Sequence, residues 1–247
     1  MIGVFDSGLG GLSILKELRK LLPNEDYFFY EDSIHNPYGE KSEEELLEIT
    51  CGIVDFLLER GSKIIVIACN TATTSCMKKL REIYPNTIFV GTVPAIKVAY
   101  DHHFKHTIIL STPYTSQSKR VQELLEDYHG DDQEIVNISG RNLANLIELD
   151  QKNEYMSLLH SLLDEYKDWA DSMVLGCTHY SLIKEEIGEV LPHTSLLDGC
   201  LGVSEEVKRQ LENHDLLKKR NEQGTLTIYN NKSEDLVKRS YEILERL

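Results

Sequence analysis

The clearest structural pattern in the sequence is Val174-Leu175-Gly176-Cys177-Thr178-His179-Tyr180. A short apolar run leads into a cysteine, a hydroxyl and a histidine, and apolar residues at helical spacing follow between Leu182 and Val190. This order predicts a buried strand, a sharp turn and then a helix. Cys177 and His179 would then lie where a strand ends and free helix N–H groups begin, a position that activates thiols and attracts anions.

An earlier stretch has the same design. The apolar run 64–68 leads into Cys69-Asn70-Thr71, and a helical pattern follows through Ile83. Because doubly wound folds keep their sites at the ends of strands, two thiols in this position suggest a matched pair that acts on one substrate. The alternative is that both are ordinary buried cysteines, since free cysteine is among the most buried residue types.

Composition limits the class of protein. The chain has 247 residues, of which 41% are apolar, which is enough for one large domain or two small ones. A net charge of −15 argues against nucleic acid as the main partner. Five cysteines, an odd number without a C-x-x-C pair, favour free thiols in a reducing compartment, so we expect a cytoplasmic protein.

Neither a membrane nor a metal site is expected. The first five residues are predicted to enter a strand directly, so we expect no signal peptide, and no apolar run has membrane-spanning length. The spacing Cys177-x-His179 is not a usual structural zinc spacing, so we expect no bound metal.

Strands and helices alternate along the whole chain. Strands are predicted at 2–5, 27–30, 64–68, 88–91, 107–111, 134–138, 174–176, 195–198 and 226–229. Single helices are expected to run from 112 towards 128 and from about 154 to 169. This order predicts an α/β protein of two α/β halves with mainly parallel sheets and a boundary near Pro94. The site would lie at the carboxyl ends of the strands, in the cleft between the halves.

A glycine-rich turn follows the first strand. Asp6-Ser7-Gly8-Leu9-Gly10-Gly11 would bring backbone N–H groups close to an anion, but no Gly-Lys-Ser/Thr follows, and Ser13 occupies the place of the third dinucleotide-binding glycine. Asp6 would repel a phosphate, so it better suits an ammonium group or assistance in a proton transfer. The alternative is that Asp6 or Ser7 only caps the next helix.

Two thiols facing one another suit inversion at a carbon atom. One thiolate removes a proton from one face and the opposite thiol returns a proton to the other. Asp6 would assist Cys69, and His179 would assist Cys177. The α-proton of an amino acid is weakly acidic, so the substrate carboxylate needs hydrogen-bond donors as charge develops. Donors near the two thiols are Ser7, Asn70, Thr71 and Thr178.

Four motifs together resemble the glutamate racemases, which are cofactor-independent members of the aspartate/glutamate racemase superfamily. They are Asp6–Gly11, Pro37-Tyr38-Gly39, Ala68–Ala72 and Leu175–Tyr180, and the resemblance runs from residue 2 to about residue 200. It implies interconversion of L- and D-glutamate by two bases, without pyridoxal phosphate or metal. It also implies supply of D-glutamate for bacterial peptidoglycan, and a homodimer.

The resemblance assigns roles residue by residue. Cys69 and Cys177 become the acid/base pair, with Cys69 acting on the α-proton of the D-isomer and Cys177 on that of the L-isomer, and Asp6 and His179 become their assistants. The substrate is held by Ser7, Tyr38, Gly39, Asn70, Thr71 and Thr178. The C-terminal helices would pack back on the first domain, so that it comprises 1–94 plus about 205–247, and the second domain comprises 95–204.

Two further acids match the family at positions where the chain departs from it. Asp32 ends the second strand, but Glu31 stands before it where the family usually has glycine. Glu148 ends a helix that resembles a site helix of the family, but Ser139-Gly140 precedes that helix where the family usually has Cys-Pro. The segment before Pro94 also lacks its usual residue.

Three alternatives remain. The departures at Glu31, Pro94 and Ser139 leave room for an aspartate racemase or a broader amino-acid racemase. A Cys-His hydrolase would use Cys177 as nucleophile and His179 as base, although their spacing is awkward for direct contact and Cys69 would be idle. The third is a binding protein that kept the site and lost its activity.

Overall fold

The computed structural model of the chain describes residues 1–130 and 132–247. Within these residues the strands lie close to the apolar runs of the sequence. In chain order they are β1 (Ile2–Asp6), β2 (Tyr27–Glu31), β3 (Ile64–Ile67), β4 (Phe89–Gly91), β5 (His106–Ser111), β6 (Glu134–Ser139), β7 (Ser172–Gly176), β8 (Ser195–Leu197) and β9 (Leu226–Asn230).

At least one α-helix separates each of these strands from the next. The α-helices are α1 (Leu12–Leu21), α2 (Glu43–Glu59), α3 (Asn70–Ile83), α4 (Ile96–Asp101), α5 (Pro113–Gln117), α6 (Lys119–Asp127), α7 (Leu143–Glu148), α8 (Lys152–Leu163), α9 (Lys184–Val190), α10 (Cys200–Asn213) and α11 (Glu234–Arg246). Within the described residues, four short 3-10 helices accompany them, at Leu9–Gly11, Tyr38–Glu40, Asp164–Tyr166 and Thr178–Ile183. No helix in the described ranges is both long and apolar enough to cross a membrane.

The strands form two sheets, each in its own compact unit. Unit 1 comprises Met1–Thr92 and Cys200–Leu247, and unit 2 comprises Val93–Gly199. The sheet of unit 1 has the order β4-β3-β1-β2-β9, and that of unit 2 has the order β6-β5-β7-β8. Every pairing in both sheets is parallel, which confirms the α/β prediction. The boundaries predicted from the sequence were residue 94 and about residue 205.

Burial explains why these runs become central strands. Residues 64–67 of β3 are completely buried, as are Ile2, Val4 and Phe5 of β1, because helices cover both faces of a parallel sheet. The carboxyl ends of neighbouring parallel strands lie along one edge of the sheet. The residues that follow β1, β2 and β3 in unit 1 therefore share an edge, and so do those that follow β5, β6 and β7 in unit 2.

Three helix predictions are wrong in detail. The helix expected from 112 to 128 is broken at Ser118, whose backbone is extended and whose Oγ accepts a hydrogen bond from Val121 N at 3.3 Å, so Ser118 caps a second helix. The helix expected to reach 169 ends at Leu163. The residues after Cys177 form a 3-10 helix, and α9 begins only at Lys184.

Candidate active site

In unit 1 the first predicted thiol lies at the end of a central strand. Cys69 follows β3, has extended backbone and begins α3, and its thiol donates to Ser7 Oγ at 3.9 Å. The backbone N–H of Ala68 donates to Phe5 O at 2.8 Å, so the ends of β1 and β3 are held together. The structure therefore brings Cys69 and Ser7 into contact. Asn70 and Thr71 begin α3 beside them, and all four of these polar side chains are buried.

The carboxylate of Asp6 lies under the glycine-rich turn. Asp6 is the last residue of β1, and its Oδ2 accepts the backbone N–H of Gly11 at 2.7 Å. A Cβ atom on residue 11 would lie 2.7 Å from Asp6 Cβ and 3.0 Å from the ring of Phe29, so this approach requires glycine. Asp6 therefore makes the helix-capping contact that was the alternative to a catalytic role. It lies at the end of β1, which is adjacent to β3, the strand that Cys69 follows.

Asp32 joins the end of β2 to the loop that carries the predicted substrate residues Tyr38 and Gly39. Its buried carboxylate accepts the Tyr38 hydroxyl at 2.5 Å and contacts His35 Nδ1 at 2.7 and 2.9 Å. Burial, and after it the charge of Asp32, raise the pKa of Tyr38 well above its usual value, so this phenol stays protonated. Its hydroxyl is committed to Asp32, while its ring packs in the same apolar cluster as Cys69.

In unit 2 a cysteine, a histidine and a glutamate form a chain of contacts. Cys177 follows β7, and its Sγ lies 3.8 Å from His179 Nδ1. The other ring nitrogen of His179, Nε2, lies 2.6 Å from Glu148 Oε2, at the end of α7. The side chains of all three residues are buried, and Thr178 is buried beside them. The structure thus brings Glu148 to the predicted pair and shows a thiol–imidazole contact that the spacing in sequence had suggested would be awkward.

The surroundings of His179 favour its charged form. Complete burial would by itself lower its pKa, but the hydrogen bonds to Cys177 and Glu148 and the charge of the Glu148 carboxylate together raise the pKa well above 6.5. A protonated imidazole donates from both nitrogens, towards the carboxylate on one side and the sulfur on the other. This arrangement both orients the ring and stabilises negative charge that develops on Cys177.

Two glycines explain the local backbone around Cys177. A Cβ atom on Gly176 would lie 2.6 Å from Ser111 Cβ and 2.9 Å from the carbonyl oxygen of Leu110, so β5 and β7 require glycine there. A Cβ atom on Gly140 would lie 2.5 Å from the Tyr180 hydroxyl, which donates to the carbonyl oxygen of Gly140 at 3.2 Å. The departure at Ser139-Gly140 therefore makes room for a buried tyrosine next to the Cys177 turn.

Sequence reasoning missed three polar residues at the edge of unit 1. His35 contacts Asp32. Asn230, at the end of β9, and Asn231, in the turn between β9 and α11, reach the end of β2. Local pattern marked this turn only as a break between strand and helix. In the described ranges, no group of three or more His, Cys, Asp or Glu side chains is arranged to hold a metal ion.

Comparisons with known proteins agree on one family. The family model described as Asp/Glu/Hydantoin racemase matches residues 10–202. A protein named glutamate racemase from Clostridium botulinum (strain Alaska E43 / Type E3) is 38% identical across 99% of this chain and 96% of the relative. Another from Clostridium botulinum (strain Langeland / NCTC 10281 / Type F) is 40% identical across 98% of this chain and 96% of the relative.

Solved structures give the same result. The glutamate racemase from Escherichia coli, in complex with L-glutamate and the activator UDP-MurNAc-Ala, is similar with a TM-score of 0.84 at 29% identity, over 99% of this chain and 94% of that one. The glutamate racemase from Francisella tularensis in complex with D-glutamate has a TM-score of 0.83 at 26% identity, over 100% and 93% of the two chains.

Proposed function

Because the chain belongs to the Asp/Glu/Hydantoin racemase family and is an amino-acid racemase, we propose that it interconverts L- and D-glutamate by two-base proton transfer. The observation that carries the proposal is the position of the two thiols. Each follows a central strand of a parallel sheet, and each contacts a polar side chain, Ser7 for Cys69 and His179 for Cys177. Acid/base chemistry at an α-carbon needs paired groups of this kind.

Glutamate is the substrate that the relatives favour. The similar proteins from Clostridium are named glutamate racemases, and the similar structures from Escherichia coli and Francisella tularensis hold L- and D-glutamate. Aspartate, or a broader set of amino acids, is the alternative. It rests on the departures at Glu31, Pro94 and Ser139.

The proposed reaction exchanges one proton for another at the α-carbon. From L-glutamate, the thiolate of Cys177 takes the α-proton and becomes a thiol, and the thiol of Cys69 gives its proton to the opposite face and becomes a thiolate. From D-glutamate the two roles reverse. The mechanism requires both sulfur atoms to reach the same α-carbon, and it uses neither pyridoxal phosphate nor a metal ion.

The remaining predicted residues divide into assistants and donors. Glu148 holds His179 charged and oriented, and His179 stabilises the thiolate of Cys177. Asp6 assists Cys69 in the proposal, from the adjacent strand. The proposed substrate-binding residues are Ser7, Tyr38, Gly39, Asn70, Thr71 and Thr178. The starts of helices near them also offer backbone N–H groups to a developing negative charge. Since the phenol of Tyr38 donates to Asp32, we propose that Tyr38 contributes to the site through its ring and backbone and not through its hydroxyl.

The cellular setting is also a proposal. We place the enzyme in the cytoplasm, where its five free cysteines stay reduced, and assign it the supply of D-glutamate for peptidoglycan. We propose a homodimer, on the resemblance alone, and light scattering during size-exclusion chromatography tests it.

The test uses purified protein without added cofactor. L-Glutamate and L-aspartate are incubated separately, and loss of optical rotation is followed together with chromatographic separation of the enantiomers. Racemisation of glutamate, at a rate well above that of aspartate, supports the proposal. If only aspartate is racemised, the proposed mechanism stands but the substrate is aspartate. If neither amino acid is converted, the proposed function is refuted.

A second candidate function has one observation in its favour. The contact between Cys177 and His179 is the geometry that a Cys-His hydrolase needs. The substitution Cys69→Ser separates the two functions, because a hydrolase built on Cys177 survives it and a two-base racemase does not. Cys51→Ser is the matched control, since Cys51 is a half-buried cysteine within α2.

A further inference from the structure

The end of β9 and the turn that follows it place two consecutive asparagines against the end of β2. Asn230 Nδ2 donates to Glu31 Oε2 at 2.9 Å and lies 2.8 Å from Ser33 Oγ. Its Oδ1 accepts the backbone N–H groups of Lys232 and Ser233 at 2.9 and 3.3 Å, which fixes the turn itself. One side chain therefore joins the C-terminal turn to the strand end and to the first residue of the loop that follows it.

Asn231 makes the equivalent pair of contacts one residue further on. Its Nδ2 donates to Asp32 Oδ1 at 2.5 Å, and its Oδ1 accepts the backbone N–H of Ile34 at 3.1 Å. Asp32 in turn accepts the hydroxyl of Tyr38 and contacts His35. A continuous chain of hydrogen bonds thus runs from Asn231 through Asp32 to Tyr38.

These contacts exceed what pairing of the two strands requires. The parallel ladder already joins β2 to β9, from Tyr27 with Leu226 to Glu31 with Asn230. The side chain of Asn231 lies beyond that ladder and acts on Asp32 and on the loop backbone. The carboxylates of Glu31 and Asp32 are both completely buried, and a buried carboxylate is costly unless donors surround it. The asparagines are such donors. Because Asn231 also accepts a hydrogen bond from the loop backbone, it links the position of the loop to these carboxylates.

The loop reaches the thiol of unit 1. Residues 33–41 include the 3-10 helix Tyr38–Glu40, and the ring of Tyr38 packs in one buried apolar cluster with Cys69 and Ala72. Movement of Tyr38 would therefore change the packing around Cys69. It would also move Gly39, which the proposed function assigns to substrate binding.

We propose that Asn231, supported by Asn230, is a positioning residue for the racemase: it holds the 33–41 loop against the end of β2 and so fixes Tyr38 and Gly39 beside Cys69. The proposal rests on the proposed function. It makes the C-terminal β9–α11 segment part of the active-site architecture, although neither asparagine is expected to touch the substrate.

The test compares Asn231→Ala and Asn231→Asp with Lys232→Ala. The first variant removes the donor to Asp32, and the second keeps the size of the side chain but sets a carboxylate against Asp32. Lys232 is an exposed neighbour in the same turn, and its backbone N–H is retained in the control. Each variant is assayed for kcat and KM with glutamate, and for amide hydrogen exchange by peptide, well below its melting temperature.

We expect a local change in hydrogen exchange and a specific change in the kinetic constants. In both Asn231 variants the peptide covering 33–41 exchanges faster, and kcat/KM falls about tenfold, mainly through KM, because the loss of a hydrogen bond to a buried charge loosens the loop. Asn231→Asp loses more than Asn231→Ala, since like charges repel. The lysine variant behaves as wild type in both measurements.

Other results overturn the proposal. Unchanged exchange in the 33–41 peptide would show that Asn231 does not hold the loop, and faster exchange with unchanged kcat/KM would show that the loop's position does not matter to the reaction. If either asparagine variant is poorly folded, the other and Asn230→Ala supply the same comparison. An inactive wild-type protein refutes the proposed function, and with it the kinetic part, while the exchange data still decide whether the loop is held.

Discussion

Replacing Glu148 with glutamine tests the most specific contact in unit 2. The carboxylate lies 2.6 Å from His179 Nε2, and both side chains are buried. The substitution Glu148→Gln keeps the size of the side chain and removes its charge. Hydrogen bonds to charged groups contribute about 1.5–3 kcal/mol, so we expect the free energy of unfolding to fall by up to this amount.

The kinetic effect follows from the same contact. If the full interaction stabilises the transition state, its loss lowers kcat/KM by about one to two orders of magnitude, since about 1.4 kcal/mol corresponds to a tenfold change. The two enantiomers of glutamate have equal free energy in water, so kcat/KM must fall by the same factor in both directions. Circular dichroism started from each enantiomer measures both values.

The pH dependence of stability has a defined sign. Glu148 and Cys177 raise the pKa of folded His179 above its unfolded value of 6.5 against the opposing effect of burial. The stabilisation by the charged ring is therefore complete below pH 6.5 and is lost as the pH rises through the folded pKa. We expect the difference in melting temperature between wild type and Glu148→Gln to be largest below pH 6.5 and to shrink in alkaline solution.

An exposed pair of the same chemistry is the control. His160 Nδ1 lies 3.0 Å from Asp164 Oδ1 in the same unit, with both side chains about half exposed (47% and 49%). Asp164→Asn should change stability less than Glu148→Gln does and leave racemisation unchanged, because exposed pairs contribute little. A Glu148→Gln variant that retains wild-type kcat/KM, or that loses no more stability than the control, would show that the Glu148–His179 contact does not act in this way.

Three further predictions concern unit 1 and the glycines. Cys69→Ser should lower the racemisation rate by about 10²–10⁴-fold, the usual contribution of a general acid or base, and a wild-type rate in the enantiomer assay would exclude that role. Tyr38→Phe removes a donor from the buried Asp32 carboxylate and should cost about 1–3 kcal/mol in urea denaturation, whereas unchanged stability would contradict the hydrogen bond at 2.5 Å. A Cβ atom on Gly224 would lie 1.6 Å from a backbone carbonyl oxygen, so Gly224→Ala should destabilise by about 3 kcal/mol or more. Gly188→Ala in α9, where nothing lies within 4 Å, should be neutral or stabilising by about 0.5–1 kcal/mol, and equal melting temperatures for the two alanine variants would refute the steric argument.

Local sequence pattern was enough for the strands and for the position of both thiols. Apolar runs followed by a polar residue and a helical period identify β1, β3 and β7, and parallel strands place Asp6 and Cys69 at one edge of a sheet. Local pattern was insufficient where a side chain competes with a helix. Ser118 breaks a continuous helical period because its hydroxyl caps the next segment.

Contacts between residues far apart in the chain could not be predicted from the sequence, for a different reason. Asn231 and Asp32 are 199 residues apart, and Glu148 and His179 are 31 apart. Periodicity describes which face of an element is buried, but it does not specify which side chain at one strand end meets a turn from another part of the chain. The family resemblance pointed to Glu148 and Asp32, and only the geometry gives them partners. Neither pattern nor resemblance pointed to the asparagine pair.

The two-thiol mechanism is tested most sharply by the isotopic content of the first product formed in D₂O. Protiated L-glutamate is converted briefly with wild-type enzyme, and the enantiomers are separated before mass analysis. Two thiols acting from opposite faces predict D-glutamate that carries solvent deuterium at the α-carbon, while the remaining L-glutamate stays largely protiated. D-Glutamate that retains the original α-proton would show that a single base moves the proton between faces, and would contradict the assignment of Cys69 and Cys177 as a pair.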